Sequence, residues 1–246
     1  MAGLNWLIER PVAHRGLHGG GLIENTLGAV RAAVDANYAI EVDLLLTADG
    51  EVVVFHDDTL DRLTNASGPV TARTLAELKQ VAIHGTDERI PTLQDLLGAV
   101  AGRTPLVLEL KSGWEGNDPL AAKTAEILKS YAGPVAAMSF DPRILIALQK
   151  YAPGLPRGIV AERYYRDPSW GPLPWAQRFR LGNLLHFLQT KPHFVAYYVN
   201  DLPAIAPLAA RYILGMKLLT WTIRSEQDRR KARWWANQMI FEGFRP

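Results

Sequence analysis

The chain has 246 residues, 48% apolar and 21% charged, which suffices for one large core and is the usual length of a single α/β barrel. It has no cysteine, which excludes a disulfide framework, a thiolate metal site and a cysteine nucleophile. A net charge of +2 is too mild to point to nucleic acid, and none is expected as a partner.

In chain order, residues 1–11 hold one acidic and one basic residue and no apolar run of signal-peptide length, so a cytoplasmic protein is expected. Apolar, β-branched runs follow at Pro11–His14, Ala39–Leu46, Val52–His56, Pro105–Lys111, Pro134–Phe140, Pro156–Ala161, Phe194–Val199, Lys217–Ile223 and Gln238–Phe241. Helical periodicity lies between most of them, at Glu24–Asn37, Leu93–Ala101, Pro119–Tyr131, Pro142–Tyr151, Leu202–Tyr212 and Glu226–Ala236. Strand and helix alternating through about eight units predict a (β/α)8 TIM barrel spanning residues 1–246 as one domain.

One strand pair breaks the alternation. Asp49-Gly50 between Ala39–Leu46 and Val52–His56 predicts an antiparallel hairpin, and a two-residue loop would set His56 opposite Asp43. From about 57 to 92 the chain is polar and turn-rich with one short helical pattern at Leu75–Val81, and it reads as an insertion into the barrel. The stretch from Tyr164 to Pro192, with Tyr164, Tyr165, Trp170, Trp175, Phe179 and Phe187, reads as irregular. It suits equally a guide for a lipid-like substrate and a cover over a barrel helix.

In a barrel, side chains at the carboxyl ends of strands share one pocket. Four such ends are dense in ionisable groups: His14-Arg15-Gly16, Glu41-Val42-Asp43, His56-Asp57 and Glu109-Leu110-Lys111. Period-two geometry aims Glu41 and Asp43 at one face, and likewise Glu109 and Lys111. Glu41, Asp43 and Glu109 therefore offer an all-oxygen site for one hard divalent cation, Mg²⁺ or Ca²⁺. His14 and His56 remain free to move protons, while Arg15 and Lys111 bracket an anion. Together these groups suit metal-assisted hydrolysis of a phosphodiester. Plain salt bridges such as Glu41 with Lys111 would not explain three convergent carboxylates beside two imidazoles.

The motifs His14-Arg15-Gly16, Glu24-Asn25-Thr26-Leu27, Glu41-Val42-Asp43, Leu46-Thr47-Ala48-Asp49-Gly50 and His56-Asp57 resemble the glycerophosphodiester phosphodiesterase family in order and spacing. The resemblance returns at Pro91-Thr92-Leu93, Glu109-Leu110-Lys111 and Trp221-Thr222-Ile223 and is thin between Glu162 and Tyr212. It implies a TIM barrel with a small insertion after the second histidine, and a small-molecule glycerophosphodiester as substrate, cleaved to glycerol 3-phosphate and an alcohol. It implies His14 and His56 as the catalytic pair and Glu41, Asp43 and Glu109 as metal ligands. Arg15 and Lys111 become phosphate contacts, and Trp221 matches an aromatic on the glycerol side. A lysophospholipase D-like activity and a non-catalytic phosphate- or lipid-binding barrel are the alternatives.

The chain departs from the family pattern at the last strand, where a threonine and an aspartate before a proline are usual and Ile240-Phe241-Glu242-Gly243-Phe244 stands instead. Ile23 likewise replaces a proline before Glu24. His18, His84, His186 and His193 are read as structural. Arg229 to Trp235 suits an interfacial helix, so peripheral membrane contact is compatible with it, but an ordinary outer barrel helix is the expectation.

Overall fold

The computed structural model describes residues 3–114, 118–164 and 173–246. In chain order its elements are β1 (Val12–Ala13), α1 (Leu27–Asp35), β2 (Ala39–Leu46), β3 (Val52–Val54), α2 (Leu75–Leu78), α3 (Leu93–Val100) and β4 (Leu106–Leu110). There follow α4 (Asp118–Leu128), β5 (Val135–Ser139), α5 (Pro142–Tyr151), β6 (Arg157–Ala161), α6 (Trp175–Gly182), α7 (Phe187–Thr190) and β7 (Phe194–Tyr198). The chain ends with α8 (Ile205–Tyr212), β8 (Lys217–Ile223), α9 (Glu226–Trp235) and β9 (Gln238–Phe241). Eight of the strands are parallel and close on themselves in the order β1-β2-β4-β5-β6-β7-β8-β9, with β9 pairing back to β1. This is the (β/α)8 barrel that the alternation predicts.

Period-two alternation sorts every strand into an inward and an outward set. Val12, Ala39, Val107, Ala136, Val160, Ala196, Leu219 and Ile240 belong to the cluster that fills the barrel. Gly158 faces its register partner Phe194, and a Cβ there would stand 2.3 Å from the Phe194 ring, so the glycine makes room for that ring. A 3-10 turn at Leu4–Leu7 buries Leu7 against the same cluster. The outward residues, Ile40, Val42, Leu106 and Leu108 among them, pack with the helices in a second, larger core.

The strand β3 pairs antiparallel to β2, as expected, but one residue out of the predicted register. Leu44 faces Val54, and the Phe55 amide donates to the Asp43 carbonyl at 3.0 Å, so Phe55 rather than His56 stands opposite Asp43. The cause is the loop. Thr47 and Glu51 close around three residues, with Gly50 at φ +82°, the geometry of a hairpin with a glycine bulge.

Beyond β3 the segment through Thr92 carries its own buried cluster, in which Leu60, Val70, Leu78, Ile83 and Ile90 meet Leu45, Val53 and Phe55. The expected helical pattern there is α2, started by a Thr74–Glu77 capping box. The reading of Tyr164 to Pro192 as irregular is corrected by α6 and α7. Trp175 and Phe179 stand exposed on α6, and such apolar residues on the solvent side hide the helical period from a sequence reading. Tyr165 and Trp170 lie outside the described residues.

Candidate active site

Two residues beyond the apolar layer, the same period-two register turns the barrel lining polar and aromatic. Val12 leads to His14, Ala39 to Glu41, Val107 to Glu109, Met138 to Phe140, Ala196 to Tyr198, Leu219 to Trp221 and Ile240 to Glu242.

After β1 the chain turns through Arg15 (φ +55°) and Gly16 (φ +79°). A side chain at Gly16 is excluded, because a Cβ would lie 2.9 Å from the Ala29 backbone. A left-handed backbone is unusual for a long residue such as Arg15, and Glu41 holds it there. The Arg15 amide donates to Glu41 Oε2 at 3.0 Å and the Gly16 amide to the Glu41 carbonyl at 3.2 Å. The turn aims the Arg15 guanidinium at Glu24 (2.7 Å) and Asp43 (3.4 Å). Asn25, also left-handed at φ +57°, donates its side-chain amide to Asp43 Oδ2 at 3.0 Å.

Glu41, Asp43 and Glu109 each offer a carboxylate oxygen within 4.8 Å of the others, and all three are buried. Register supplies the proximity, since Asp43 and Glu109 are partners across β2 and β4. Lys111 lies 3.6 Å from Asp43 and 3.5 Å from Glu109. Burial and the neighbouring carboxylates Asp43 and Glu109 push Glu41 well above its ordinary range. Burial and Asp43 raise Glu109 to about 7 against the pull of Lys111. Burial also acts on Asp43, but Lys111, His56 and Arg15 overcome it and hold that carboxyl at about 2. Glu41 Oε1 is buried and has no hydrogen-bond partner among the described residues. An orphaned carboxyl oxygen in a cluster of hard donors fits a divalent cation.

The two imidazoles flank this cluster. His14 Nδ1 meets Glu242 at 2.5 Å, and its Nε2 points back to Glu41 at 3.9 Å. Glu242 also accepts from Arg224 Nε and stands 3.7 Å from His18 Nε2. Burial works against its charge, yet the bonds from His14, His18 and Arg224 hold its carboxyl far below the usual range. His56 Nδ1 meets Asp57 at 2.7 Å, and Arg62 grips both Asp57 oxygens and Glu24. An ionised carboxylate only accepts, so Nδ1 carries the proton in each histidine and Nε2 is left as the acceptor nitrogen. Burial lowers both imidazoles below their ordinary value. A second acidic grouping, Glu24, His56 and Asp57, is already neutralised by Arg62.

All eight residues singled out in the sequence line one cavity of about 1690 Å³. Its far wall is aromatic, where the Trp221 ring meets Phe140 at 5.5 Å and Tyr198 at 5.1 Å. Trp221 Nε1 is buried without a partner among the described residues, a donor aimed at whatever fills the space. The sequence reading did not assign roles to Glu242, Asn25, Asp57 or Arg62. For Glu242 a signal existed, since counting two from the inward Ile240 places it in the polar layer.

The sequence profile of the glycerophosphoryl diester phosphodiesterase family matches residues 14–244. A glycerophosphodiester phosphodiesterase of Caldanaerobacter subterraneus is 30% identical over 228 residues, covering 88% of this chain and 86% of its own. A rat lysophospholipase D is 32% identical over 137 residues, half of this chain and 42% of its own. Among solved structures, an Oleispira antarctica phosphodiesterase in complex with its product sn-glycerol-3-phosphate superposes with a TM-score of 0.79 at 25% identity, over 96% of this chain and 93% of that one. The chain belongs to the glycerophosphodiester phosphodiesterase family.

Proposed function

We propose that this family member hydrolyses glycerophosphodiesters to glycerol 3-phosphate and an alcohol, using one divalent cation and the pair His14 and His56. The observation that carries the reading is the convergence of three buried carboxylates between two imidazoles, each with its Nδ1 on a carboxylate. Glu41, Asp43 and Glu109 would hold Mg²⁺ or Ca²⁺, which when bound supplies charge against the phosphoryl oxygens. Arg15 and Lys111 orient the phosphate from either side of Asp43. One histidine takes at Nε2 the proton of the attacking water, or of the glycerol 2-hydroxyl in a route through a cyclic phosphate that water then opens, and the other delivers a proton from Nε2 to the departing alkoxide. Both imidazoles sit in partial burial, so they shed a proton more readily than in water, as a base needs. Glu242 and Asp57 fix the tautomers. Trp221 supplies an apolar wall for the glycerol carbons.

The test incubates the purified protein with glycerophosphocholine and glycerophosphoethanolamine in Mg²⁺, Ca²⁺ or EDTA and follows glycerol 3-phosphate. Metal-dependent release, lost in His14→Ala and in His56→Ala, is the expected result. Release that persists in both variants removes the pair from the mechanism. The cavity is larger than the ~300–1,000 Å³ of ordinary ligand sites, which favours lysophospholipids as a second substrate class. Liberation of choline from lysophosphatidylcholine by the same samples would show it.

A further inference from the structure

Charge and exposed apolar surface are distributed unevenly around the barrel. The chain holds 27 Lys+Arg and 25 Asp+Glu, of which 10 and 3 lie between Leu173 and Phe241, leaving 17 and 22 elsewhere. Nine of the ten exposed large hydrophobic side chains among the described residues lie in that same stretch. Single exposed apolar residues are ordinary, but a cluster is not.

The tightest cluster lies on the floor side, where helices end and strands begin. Tyr212, Ile213 and Leu214 form the turn from α8 into β8, with Ile213 80% exposed, and Trp234 at the end of α9 is 74% exposed. Arg211 joins the two, stacking over Tyr212 at 4.8 Å and donating to the Trp234 carbonyl at 3.4 Å. Asn237 ties the start of β8 to the end of α9, its amide donating to the Leu218 carbonyl at 2.7 Å. Arg230, one helical turn before Trp234, and Arg233 beside it are exposed. Residues 202–225 and 229–241 contain no Asp or Glu.

We propose that this floor-side patch docks the protein on an anionic lipid surface. A basic rim is attracted to anionic headgroups, and a tryptophan with an Ile-Leu turn inserts at the acyl boundary. An isologous contact between two copies would bring like charges together, and a nucleic acid would leave the apolar centre uncovered. None of the helices among the described residues is long and apolar enough to cross a membrane, so the contact is peripheral. The patch lies at the opposite end of the barrel from the cavity, and docking leaves the mouth open to water-borne substrate.

The test is co-sedimentation of the full chain with vesicles of phosphatidylcholine alone, or with about a third phosphatidylglycerol, across a salt series. Binding to the anionic vesicles only, weakening as salt rises, is expected. Ile213→Glu/Trp234→Glu should weaken it by about tenfold or more, and Arg230→Gln/Arg233→Gln should flatten its salt dependence, with the thermal midpoint and hydrolysis as in the parent. Absence of binding at low salt, or unchanged binding of Ile213→Glu/Trp234→Glu, overturns the proposal. A doubled mass by light scattering that returns to the monomer in that variant also overturns it, assigning the patch to self-association.

Discussion

The environments of His14 and His56 solve one problem in two parts of the fold. His14 stands at the end of a barrel strand, only 12% exposed, and its Nδ1 partner Glu242 comes from 228 residues away. His56 stands at the start of the insertion, 29% exposed, and its partner is its neighbour Asp57, braced by Arg62. The barrel position gains rigidity from strand pairing and closure on both sides. The insertion position depends on a charge network, because β3 ends two residues earlier and its second edge carries only the Val53–Thr92 bridge and the Val54 amide bond to the Pro91 carbonyl. The comparison teaches that each imidazole has a carboxylate at its Nδ1, whereas the source of that carboxylate in the chain differs.

The largest effect should come from removing what the two histidines share. Asp43→Asn, which touches Arg15, Asn25 and Lys111 at once, is expected to lower kcat by about 10³-fold or more, and EDTA should do the same to the parent. His14→Ala and His56→Ala should each cost about 10²–10⁴-fold, measured as glycerol 3-phosphate release. A much smaller loss in one of them would break the symmetry of the pair.

Glu242→Gln sharpens the comparison. The amide can still accept from Nδ1 but cannot balance an imidazolium, so kcat should fall about 10–100-fold with KM little changed. Asp57→Asn should behave likewise. Arg62→Gln, which removes the brace behind Asp57 together with its bonds to Glu24, should cost about twofold to fivefold, since exposed charge pairs contribute about 1 kcal/mol or less. An equal loss from Arg62→Gln and Asp57→Asn would mean that His56 is held by the network as a whole.

The same contrast explains what could be read in advance. The strands were legible because period-two apolar runs survive in sequence, and seven of the candidate residues because they are ionisable groups within or just past those runs, whereas Trp221 came only with the family resemblance. Asp57 was adjacent to His56, yet Arg62 could not be connected to Glu24 across 38 residues without the fold of the insertion. Glu242 stood out as a departure from the family pattern and by its place two residues past Ile240, but its bond to His14 depends on barrel closure between β9 and β1. The hairpin register slipped by one because a positive φ at Gly50 admits a third loop residue, which composition does not reveal.

A third histidine supplies the control, with an effect on stability and none expected on catalysis. His186 is 4% exposed, and its Nδ1 has no hydrogen-bond partner among the described residues. Burial, with Arg180 nearby, drives its pKa down to about 4. Where His14 and His56 share a proton with a carboxylate, His186 can only exclude it. Its folded-state pKa is thus depressed below the ~6.5 of an unfolded chain. Above pH 6.5 both states are neutral and stability is full. As pH falls from 6.5 towards 4 the unfolded chain takes up a proton that the folded protein refuses, and stability drops by up to about 1.4 kcal/mol per pH unit. His186→Leu removes that proton from both states. Urea unfolding of parent and variant at several pH values between 7.5 and 4.5 isolates the term, because every other titrating group is common to the two. The stability of the parent relative to the variant should decline as the solution is acidified, and a difference that stays flat would show that His186 is protonated as readily inside the protein as outside it.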